Sequence, residues 1–358
     1  MKHLPRKLAV VILAFAVTIS LVWAEDEVQR RQTSIPFRGT ITAETANEVT
    51  IQRKDTGKTE TVPVPEVAKV KYEGGKTAAE FTQAESLERG GEHQKAIDAY
   101  KKIADESSGK QFLVRAANFG TVSSLARIAQ RDASRVDEAI KSLEDFRKAN
   151  PDSRFHYTLH ETLGQLQLSK GNSAEAGAAF AELAKAPWPD LKLKASNYEG
   201  RILIAGNQLD AAIAKFNGVA ESAGDTAEEK IRRFEALLGK AECLVKQKMH
   251  EDAEKILKQV IDSASGEESA LHATAFSFLG DVQRETGKPK EAILSYLYVD
   301  LLYSGERNEH AKSLCYIALL WDQLGRADRA EDARSRLKKD YPNSPWVKVV
   351  ESGAKSEQ

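Results

Sequence analysis

Two histidines placed four residues apart are the first candidates for chemistry in this sequence. His156 and His160 would lie on one face of a helix, with Glu161 directly after the second histidine. Such an i, i+4 pair can bind zinc. Zinc peptidase helices, however, place the glutamate directly after the first histidine. We therefore favour structural packing for this pair. The alternative is a metal-binding or carbohydrate-related enzyme with its site near His156 and His160 or on the N-terminal strand-forming segment.

No other pattern in the sequence is typical of an active site. A G-x-S-x-G nucleophile elbow, a P-loop and a glycine-rich fingerprint after a strand are all missing. Acidic residues are interleaved with basic ones, as in Glu88-Arg89 and Glu254-Lys255. This interleaving is typical of solvated helix surfaces. We therefore predict that the protein is not an enzyme and that it has no cofactor, no catalytic residues and no metal ligands.

The composition is that of a chain with a long core and no nucleic-acid partner. The 358 residues are 41% hydrophobic and 29% charged, with a formal net charge of −1. These are ordinary values for a globular or repeat protein. Binding of nucleic acid would need a basic stripe, and mild acidity gives no support for one.

Residues 1–24 have the composition of a secretory signal peptide. Three cations precede an apolar run from Leu8 to Val22, and Val22 and Ala24 occupy the small-residue positions before the cut. We therefore expect cleavage after Ala24, which takes the net charge from −1 to −4. The run is shorter than the roughly 20 residues that span a bilayer. We expect an exported, soluble product in the periplasm or outside the cell, and an uncleaved membrane anchor is the alternative.

Alternating apolar residues predict a small β unit at residues 37–73, after a polar leader at residues 25–36. Four short strands are expected, and Asp55-Thr-Gly57 predicts a hairpin turn because glycine supplies the positive φ. Pro63 and Pro65 confine the third strand to an edge or to a short final stretch. So few residues suggest an SH3-like or Sm-like barrel that leans on the first helices for stability. The expected buried face comprises Ile41, Val49, Ile51, Val62, Val64, Val70 and Tyr72.

From Thr77 onward the apolar period is that of helices, and one phrase returns seven times. An alanine is followed four places on by a large residue and three places further by an apolar one. Successive alanines lie 36 to 43 residues apart. This period predicts a stacked array, because a lone helix pair cannot bury its apolar face without a neighbour. The phrases are Ala96/Tyr100/Ile103, Ala139/Leu143/Phe146, Ala176/Phe180/Leu183, Ala212/Phe216/Val219, Ala253/Leu257/Val260, Ala292/Tyr296/Val299 and Ala330/Arg334/Leu337.

The limits of this array follow from turn residues and polarity. Gly74-Gly75 marks its boundary with the β unit, and we place the array at residues 77–349 and a disordered polar tail at residues 350–358. Cys243 and Cys315 fall in different repeats, with one whole hairpin between them. A disulfide needs the two Cα atoms within about 7 Å, so we expect two separate buried thiols.

The third hairpin contains Leu163-Gly164, Gly171, Ala176, Phe180 and Leu183, and the sixth contains Leu279-Gly280, Gly287, Ala292, Tyr296 and Val299. These residues resemble the tetratricopeptide repeat, and the resemblance extends from Thr77 to about Val349. In that family small residues let two helices approach closely and large ones fill the gap opposite. Three hairpins depart from the pattern: the second has no Leu-Gly, the fifth has Lys248 at the turn, and the last has Arg334 at the aromatic position.

The resemblance implies an α-solenoid of about seven helical hairpins, with a concave groove lined by the first helix of each. It also implies a non-enzymatic scaffold that binds a segment of a partner protein in this groove. The inward positions would be Phe81, Glu85, Glu161, Gln165, Leu168, Lys194, Asn197, Arg201, Ile204, Leu238, Glu242, Val245, Ser277, Asp281, Arg284, Leu319 and Asp322.

Lys194, Asn197 and Arg201 share one face of the fourth hairpin's first helix, spaced three and then four residues apart. Such a trio could hold a carboxylate, since arginine offers a fork of donors and lysine a point charge. A solvated polar stripe is the alternative. The two-carboxylate clamp of the family's chaperone members is not reproduced, because neighbouring hairpins supply acids such as Glu161 and Glu235. The predicted partner-binding residues are Lys194, Asn197, Arg201, Leu168, Asp281 and Arg284.

These features together predict an exported bacterial scaffold of the periplasm or cell envelope. Its partner would be a protein or peptide, and the β unit would offer a second surface or cap the array. Trp346 and Val347, beyond the last proline, would seal the core or join a second copy, so a homo-oligomer stays open. Sealing is favoured because the terminal repeats of a solenoid must be capped.

Overall fold

The computed structural model of the protein describes residues 25–73 and 76–353. The predicted signal peptide, the Gly74-Gly75 boundary and residues 354–358 lie outside these ranges. The described strands are β1 (Asp26–Arg30), β2 (Phe37–Glu44), β3 (Glu48–Arg53), β4 (Thr59–Pro63) and β5 (Val67–Lys71). The described helices are α1 (Lys76–Arg89), α2 (His93–Glu106), α3 (Gln111–Ala129), α4 (Val136–Ala149), α5 (His156–Ser169), α6 (Ser173–Ala184), α7 (Pro189–Ala205), α8 (Leu209–Ser222), α9 (Ala227–Lys246), α10 (His250–Ser263), α11 (Ser269–Glu285), α12 (Pro289–Leu302), α13 (Arg307–Gln323), α14 (Ala327–Asp340) and α15 (Pro345–Glu351).

The five strands form one antiparallel sheet in the order β4-β3-β2-β1-β5. A 3-10 turn at Val64–Glu66 returns the chain from β4 to β5 beside β1. This arrangement fits the predicted SH3-like or Sm-like unit. The turn at Gly57 has the expected positive φ, 67°, and β4 lies at the edge of the sheet. Val64, expected on the buried face, instead lies in the 3-10 turn.

The sheet begins earlier than the sequence pattern indicates, because β1 lies inside the predicted polar leader. Its single apolar residue, Val28, is fully buried, and its neighbours along the strand are charged or amidic. Pairing with both β2 and β5 forms this strand. An isolated valine gives no alternating signal, so the leader prediction was wrong for residues 26–30.

Fourteen of the described helices form seven antiparallel hairpins, which confirms the predicted solenoid, and α15 follows the last hairpin. The seven alanines of the repeated phrase are all fully buried. In α10, Ala253, Leu257 and Val260 make one apolar stripe, with charged residues on the other side. Helix α9 begins with a capping box between Thr226 and Glu229, which satisfies two backbone N–H groups.

Close packing of aromatic rings against glycine fixes the approach of neighbouring helices. A β-carbon added at Gly164 would lie 2.4 Å from the ring of Phe180. Gly120 makes the same kind of contact with Tyr100, at 2.5 Å, so Phe119-Gly120 takes the place of the Leu-Gly that the second hairpin lacks. The glycine of each pair is therefore required by space.

The turn inside most hairpins uses a residue in the left-handed region. The fourth and fifth hairpins use Asn207 and Lys248, with φ of 56° and 60°. Lysine at this position adopts the conformation that the family obtains with glycine, at some cost in strain. The remaining turns of this kind have Gly91, Gly171, Gly287 and Gly325.

The β unit shares one apolar core with the first hairpins. The rings of Tyr72 and Phe81 meet edge to face at 5.9 Å, and Phe81 in turn contacts Tyr100. The Glu44 carboxylate is wholly buried at this junction, where it accepts a 2.8 Å hydrogen bond from Tyr72 and lies 3.3 Å from Arg154. The sheet therefore packs against the array, as its small size led us to expect.

At the other end, α15 covers the last hairpin. Val350 is buried, and the ring of Trp346 lies 5.6 Å from that of Tyr316. The helix continues to Glu351, so the predicted disordered tail begins too early. Cys243 and Cys315 are both free and buried, as expected. Among the described helices, none has the length and apolar composition needed to cross a bilayer.

Candidate partner-binding groove

The first helices of neighbouring hairpins contact one another along one side of the array. This is the side that the repeat pattern assigns to a concave groove. Phe81, Leu238 and Ser277, predicted to face the groove, are instead buried in the packing between helices. Most other predicted positions are partly accessible, and their polar side chains largely bind one another.

Lys194 is engaged in a bridge between α5 and α7. Its ammonium lies 2.7 Å from Glu161, which also accepts a 2.7 Å hydrogen bond from the Tyr198 hydroxyl. The Tyr198 ring stacks on Phe180 at 4.0 Å, and burial raises the pKa of its hydroxyl. The cationic charge of Lys194 is therefore already neutralised within the protein.

Asn197 and Arg201 differ in their surroundings. Asn197 is buried and donates a 2.9 Å hydrogen bond to the backbone carbonyl of Arg232, which joins α7 to α9. Arg201 is exposed and makes no salt bridge within the described residues. The structure therefore separates the predicted trio into two bridging residues and one free cation. Leu168, on α5, is half-buried.

Asp281 and Arg284 belong to a second bridge, between α11 and α13. Asp281 forms an ion pair with Lys312 and accepts a 2.7 Å hydrogen bond from Tyr296. The Arg284 guanidinium lies 4.6 Å from the ring centre of Tyr316. Both residues thus stabilise the packing of first helices and leave little of their charge free.

A cavity lies where the second hairpin faces the last. It measures about 620 Å³, in the range of ligand pockets. Arg127 and Arg131, from the end of α3, line one side, and Arg307, at the start of α13, lines another. Because these residues are far apart in sequence, their shared cavity shows that the array curves strongly. Its other charged lining residues are Glu306, Glu309 and Asp340.

Arg127, Arg131 and Arg307 form no salt bridge within the described part of the chain. Arg307 donates a 3.0 Å hydrogen bond to the backbone carbonyl of Asp340, not to its carboxylate. Partial burial lowers the pKa of Arg131, and the positive charges of Arg307 and Arg127 lower it further. Three guanidinium groups that form no ion pair among the described residues therefore share this cavity with the carboxyl groups of Glu306, Glu309 and Asp340. Sequence reasoning missed this cluster, because Arg127 and Arg131 belong to the second hairpin and Arg307 belongs to the seventh.

Glu309 extends the charged lining toward the centre of the groove. Burial raises the pKa of its carboxyl, while Lys312 and Arg201 oppose that shift. The charge of Arg201, on the fourth hairpin, therefore acts on a residue of the seventh. Arg201 and Glu309 therefore lie close enough for their charges to interact.

His156 and His160 lie together at the edge of the third hairpin, as their spacing predicts. Their ring centres are 4.6 Å apart, and Glu182 of α6 lies 3.7 Å from His156 Nε2. Burial and the neighbouring His156 hold the pKa of His160 at about 4, so its ring is neutral at pH 7. Sequence reasoning missed Glu182, since nothing local marks it as a neighbour of the histidines.

Comparisons with known proteins agree with this architecture. Three family profiles described as tetratricopeptide repeat match residues 78–108, 128–192 with 161–228, and 232–297. No curated protein matches the chain significantly in sequence.

Solved structures of other proteins are similar to this chain in part or in most of its length. A tetratricopeptide repeat protein from Parabacteroides merdae has 15% identity, with 78% of this chain and 100% of that one aligned at a TM-score of 0.50. The type IV pilus biogenesis factor PilW has 19% identity, with coverage of 64% and 96% and a TM-score of 0.42. A Rap protein solved with competence and sporulation factor has 16% identity, with coverage of 76% and 77% and a TM-score of 0.47.

Proposed function

Because this chain belongs to the tetratricopeptide-repeat family, whose arrays are protein-interaction scaffolds, we propose that its concave groove binds an extended, acidic segment of a partner protein. The proposal is non-enzymatic: the protein holds its partner and does not transform it. The observation that carries it is the unpaired arginine cluster, Arg127, Arg131 and Arg307, in the cavity between the second and last hairpins.

The cluster suits carboxylates in both charge and shape. A guanidinium can donate two parallel hydrogen bonds to one carboxylate, which gives direction as well as attraction. The positive charges of Arg307 and Arg127 already repel that of Arg131. A bound anion would offset this repulsion. Acidic side chains of a partner would therefore gain from the site without first breaking an internal ion pair.

Arg201 extends the same surface along the groove. It is exposed and makes no salt bridge among the described residues, whereas Lys194, about two turns away on α7, is held by Glu161. A segment passing from the cavity toward the fourth hairpin would meet Arg201 next. Of the trio proposed from sequence, Arg201 is therefore the member that we retain for direct contact, with Lys194 and Asn197 supporting the groove wall. Leu168, Asp281 and Arg284 would contribute contact area and rigidity.

We further propose that the protein acts in the bacterial periplasm or cell envelope. The support is the composition of residues 1–24, with its cationic start, its apolar run and Ala24 at the expected cut. Mass spectrometry of the protein recovered from the native envelope fraction tests this proposal. A mature chain that begins at Glu25 is the expected result, and an intact chain confined to the cytoplasm would contradict it.

Capture of partners from an envelope extract tests the groove. Arg131→Glu should lose proteins that the wild type retains, because a carboxylate would then repel acidic side chains. Lys255→Glu is the matched control, because it makes the same charge change at an exposed site on α10, the second helix of the fifth hairpin. This variant should retain the partner proteins.

The decisive comparison uses the recovered partner's acidic segment as a synthetic peptide, beside a version with its acids replaced by amides. The acidic peptide should bind the wild type at least tenfold more tightly than Arg131→Glu, and added salt should weaken it. Equal binding of both peptides, or equal capture by wild type and Arg131→Glu, would remove the arginine cluster from the site.

A further inference from the structure

Three side chains that can bind a metal ion meet at the edge of the third hairpin. His156 and His160 come from successive turns of α5, and Glu182 comes from the last turns of α6. One ligand atom from each residue lies within 4.8 Å of the other two. His156 Nε2 lies 3.7 Å from Glu182 Oε2.

These separations are close to those of a zinc site. Zinc binds imidazole nitrogen and carboxylate oxygen at roughly 2.1 Å, so tetrahedral ligand atoms lie roughly 3.4 Å apart. A contraction of at most about 1.4 Å at the widest pair would be sufficient, which side-chain torsions can supply without moving the helices. Two histidines with one carboxylate are also a ligand set that zinc uses, and they leave a fourth position for water.

The state of each ligand also fits metal binding. His160 is almost fully buried, and its Nδ1 has no hydrogen-bond partner. Lys185 donates a 2.7 Å hydrogen bond to Glu182 Oε1, whereas Oε2 is the oxygen that lies beside His156. A buried imidazole nitrogen and a carboxylate oxygen are therefore both placed to accept a metal ion.

We propose that His156, His160 and Glu182 bind one zinc ion, which links α5 to α6 at the edge of the third hairpin. The ion would stabilise this hairpin, because a ligand that binds only the folded state favours that state. None of the three ligands belongs to the arginine cluster. The zinc proposal and the proposed groove function can therefore be tested independently of each other.

Ordinary packing of a histidine against a glutamate gives a useful comparison. His250 Nε2 lies 3.9 Å from Glu285 Oε2, and this pair joins the fifth hairpin to the sixth. Among the described residues, His250 and Glu285 have no third metal-binding side chain close enough to complete a ligand set. His250 therefore reproduces the histidine–glutamate contact of the third hairpin without a complete ligand set.

The experiment is a titration of the full chain, freed of metal by chelation, with zinc and separately with cobalt. We expect one zinc per chain by calorimetry and the intense visible absorption of a tetrahedral site with cobalt. His156→Gln and Glu182→Gln should each weaken zinc affinity by at least roughly tenfold. Both positions are partly exposed, so these variants should fold, and circular dichroism checks that they do. His250→Gln is the matched control and should bind zinc as the wild type does.

The same samples give a second readout in thermal unfolding. Zinc should raise the melting temperature of the wild type and of His250→Gln, and should raise it less in Glu182→Gln. The proposal fails if the wild type does not bind zinc stoichiometrically. It also fails if affinity is unchanged in both His156→Gln and Glu182→Gln, because the metal would then be bound elsewhere.

Discussion

The ring of Phe216 lies against the backbone of Gly239 so closely that a β-carbon at position 239 would be 2.4 Å from the ring. Gly200 contacts the same ring from its own hairpin, where a β-carbon would lie 2.6 Å away. One aromatic side chain thus sets the spacing of α8 from both α7 and α9. The approach of consecutive hairpins depends on such contacts, because interiors packed at this density leave no room for an added methyl group.

Gly239→Ala should destabilise the protein, since the new methyl group must displace Phe216 or separate the helices. We expect a loss of about 1 to 3 kcal/mol, measured by urea unfolding. Gly218→Ala is the control, because Gly218 lies on helix α8 with no atom within 4 Å of an added β-carbon. That variant should be stabilised by up to about 1 kcal/mol, since alanine favours helix. Equal effects of the two changes would show that helix propensity, and not space, governs position 239.

Lys248→Gly should stabilise the fifth hairpin. Lys248 has a φ of 60°, a conformation that costs a side-chain-bearing residue free energy and costs glycine little. We expect a gain of about 1 kcal/mol in thermal or urea unfolding. Lys248→Ala separates strain from the loss of charge, because alanine keeps the strain. A gain with alanine as large as that with glycine would argue against backbone strain as the cause.

Stability should fall as pH drops from about 4 to 2 because of Asp300. Burial opposes ionisation of this carboxyl, but hydrogen bonds from His310 and Arg336 and their positive charges hold its pKa at about 2. The usual value is 3.8, so the unfolded chain takes up the proton first as pH falls. The stabilisation is complete above pH 4, is lost toward pH 2, and amounts to about 2 kcal/mol.

Urea unfolding across that pH range, on wild type and Asp300→Asn, measures the effect. The variant is less stable at neutral pH, and its stability should vary less with pH by about 2 kcal/mol over this window. Asp262→Asn, at an exposed position on α10, controls for the loss of one acidic group. A pH dependence in Asp300→Asn as steep as that of the wild type would exclude Asp300 as its source.

Arg154→Leu should weaken the junction between the β unit and the array. Burial raises the pKa of Glu44, and Arg154 opposes that rise by stabilising the ionised form. Without Arg154 the buried carboxylate loses its cationic partner, at a cost of about 3 to 5 kcal/mol. Arg38→Leu breaks an ion pair with Glu27 in which Arg38 is 65% exposed, and should cost at most about 1 kcal/mol.

The double variant Glu44→Gln with Arg154→Leu sharpens this test. Removal of the carboxylate charge should restore part of the stability lost in Arg154→Leu, as measured by thermal unfolding. If Arg154→Leu is no more damaging than Arg38→Leu, or if Glu44→Gln restores nothing, the junction does not depend on this ion pair.

Much of the array follows from local pattern. The repeated alanines predict seven hairpins, and all seven occupy the buried contacts between helices. Segments that depart from the pattern are harder to predict from sequence. The second hairpin replaces Leu-Gly by Phe119-Gly120, and β1 has a single apolar residue, Val28, which gives no periodic signal. Strand β1 forms because two other strands provide its hydrogen-bond partners, and that information is not local.

The chain's own pattern thus determined its helices, their pairing and the buried face of each, since helical period and small-residue contacts act between neighbours in sequence. Tertiary structure decided which polar groups meet across hairpins. In the folded array Lys194 forms an ion pair with Glu161, and Glu182 lies beside His156. Arg131 and Arg307 line one cavity. The reason is geometric: each hairpin adds a small rotation, and only their sum over the whole array brings distant charges together.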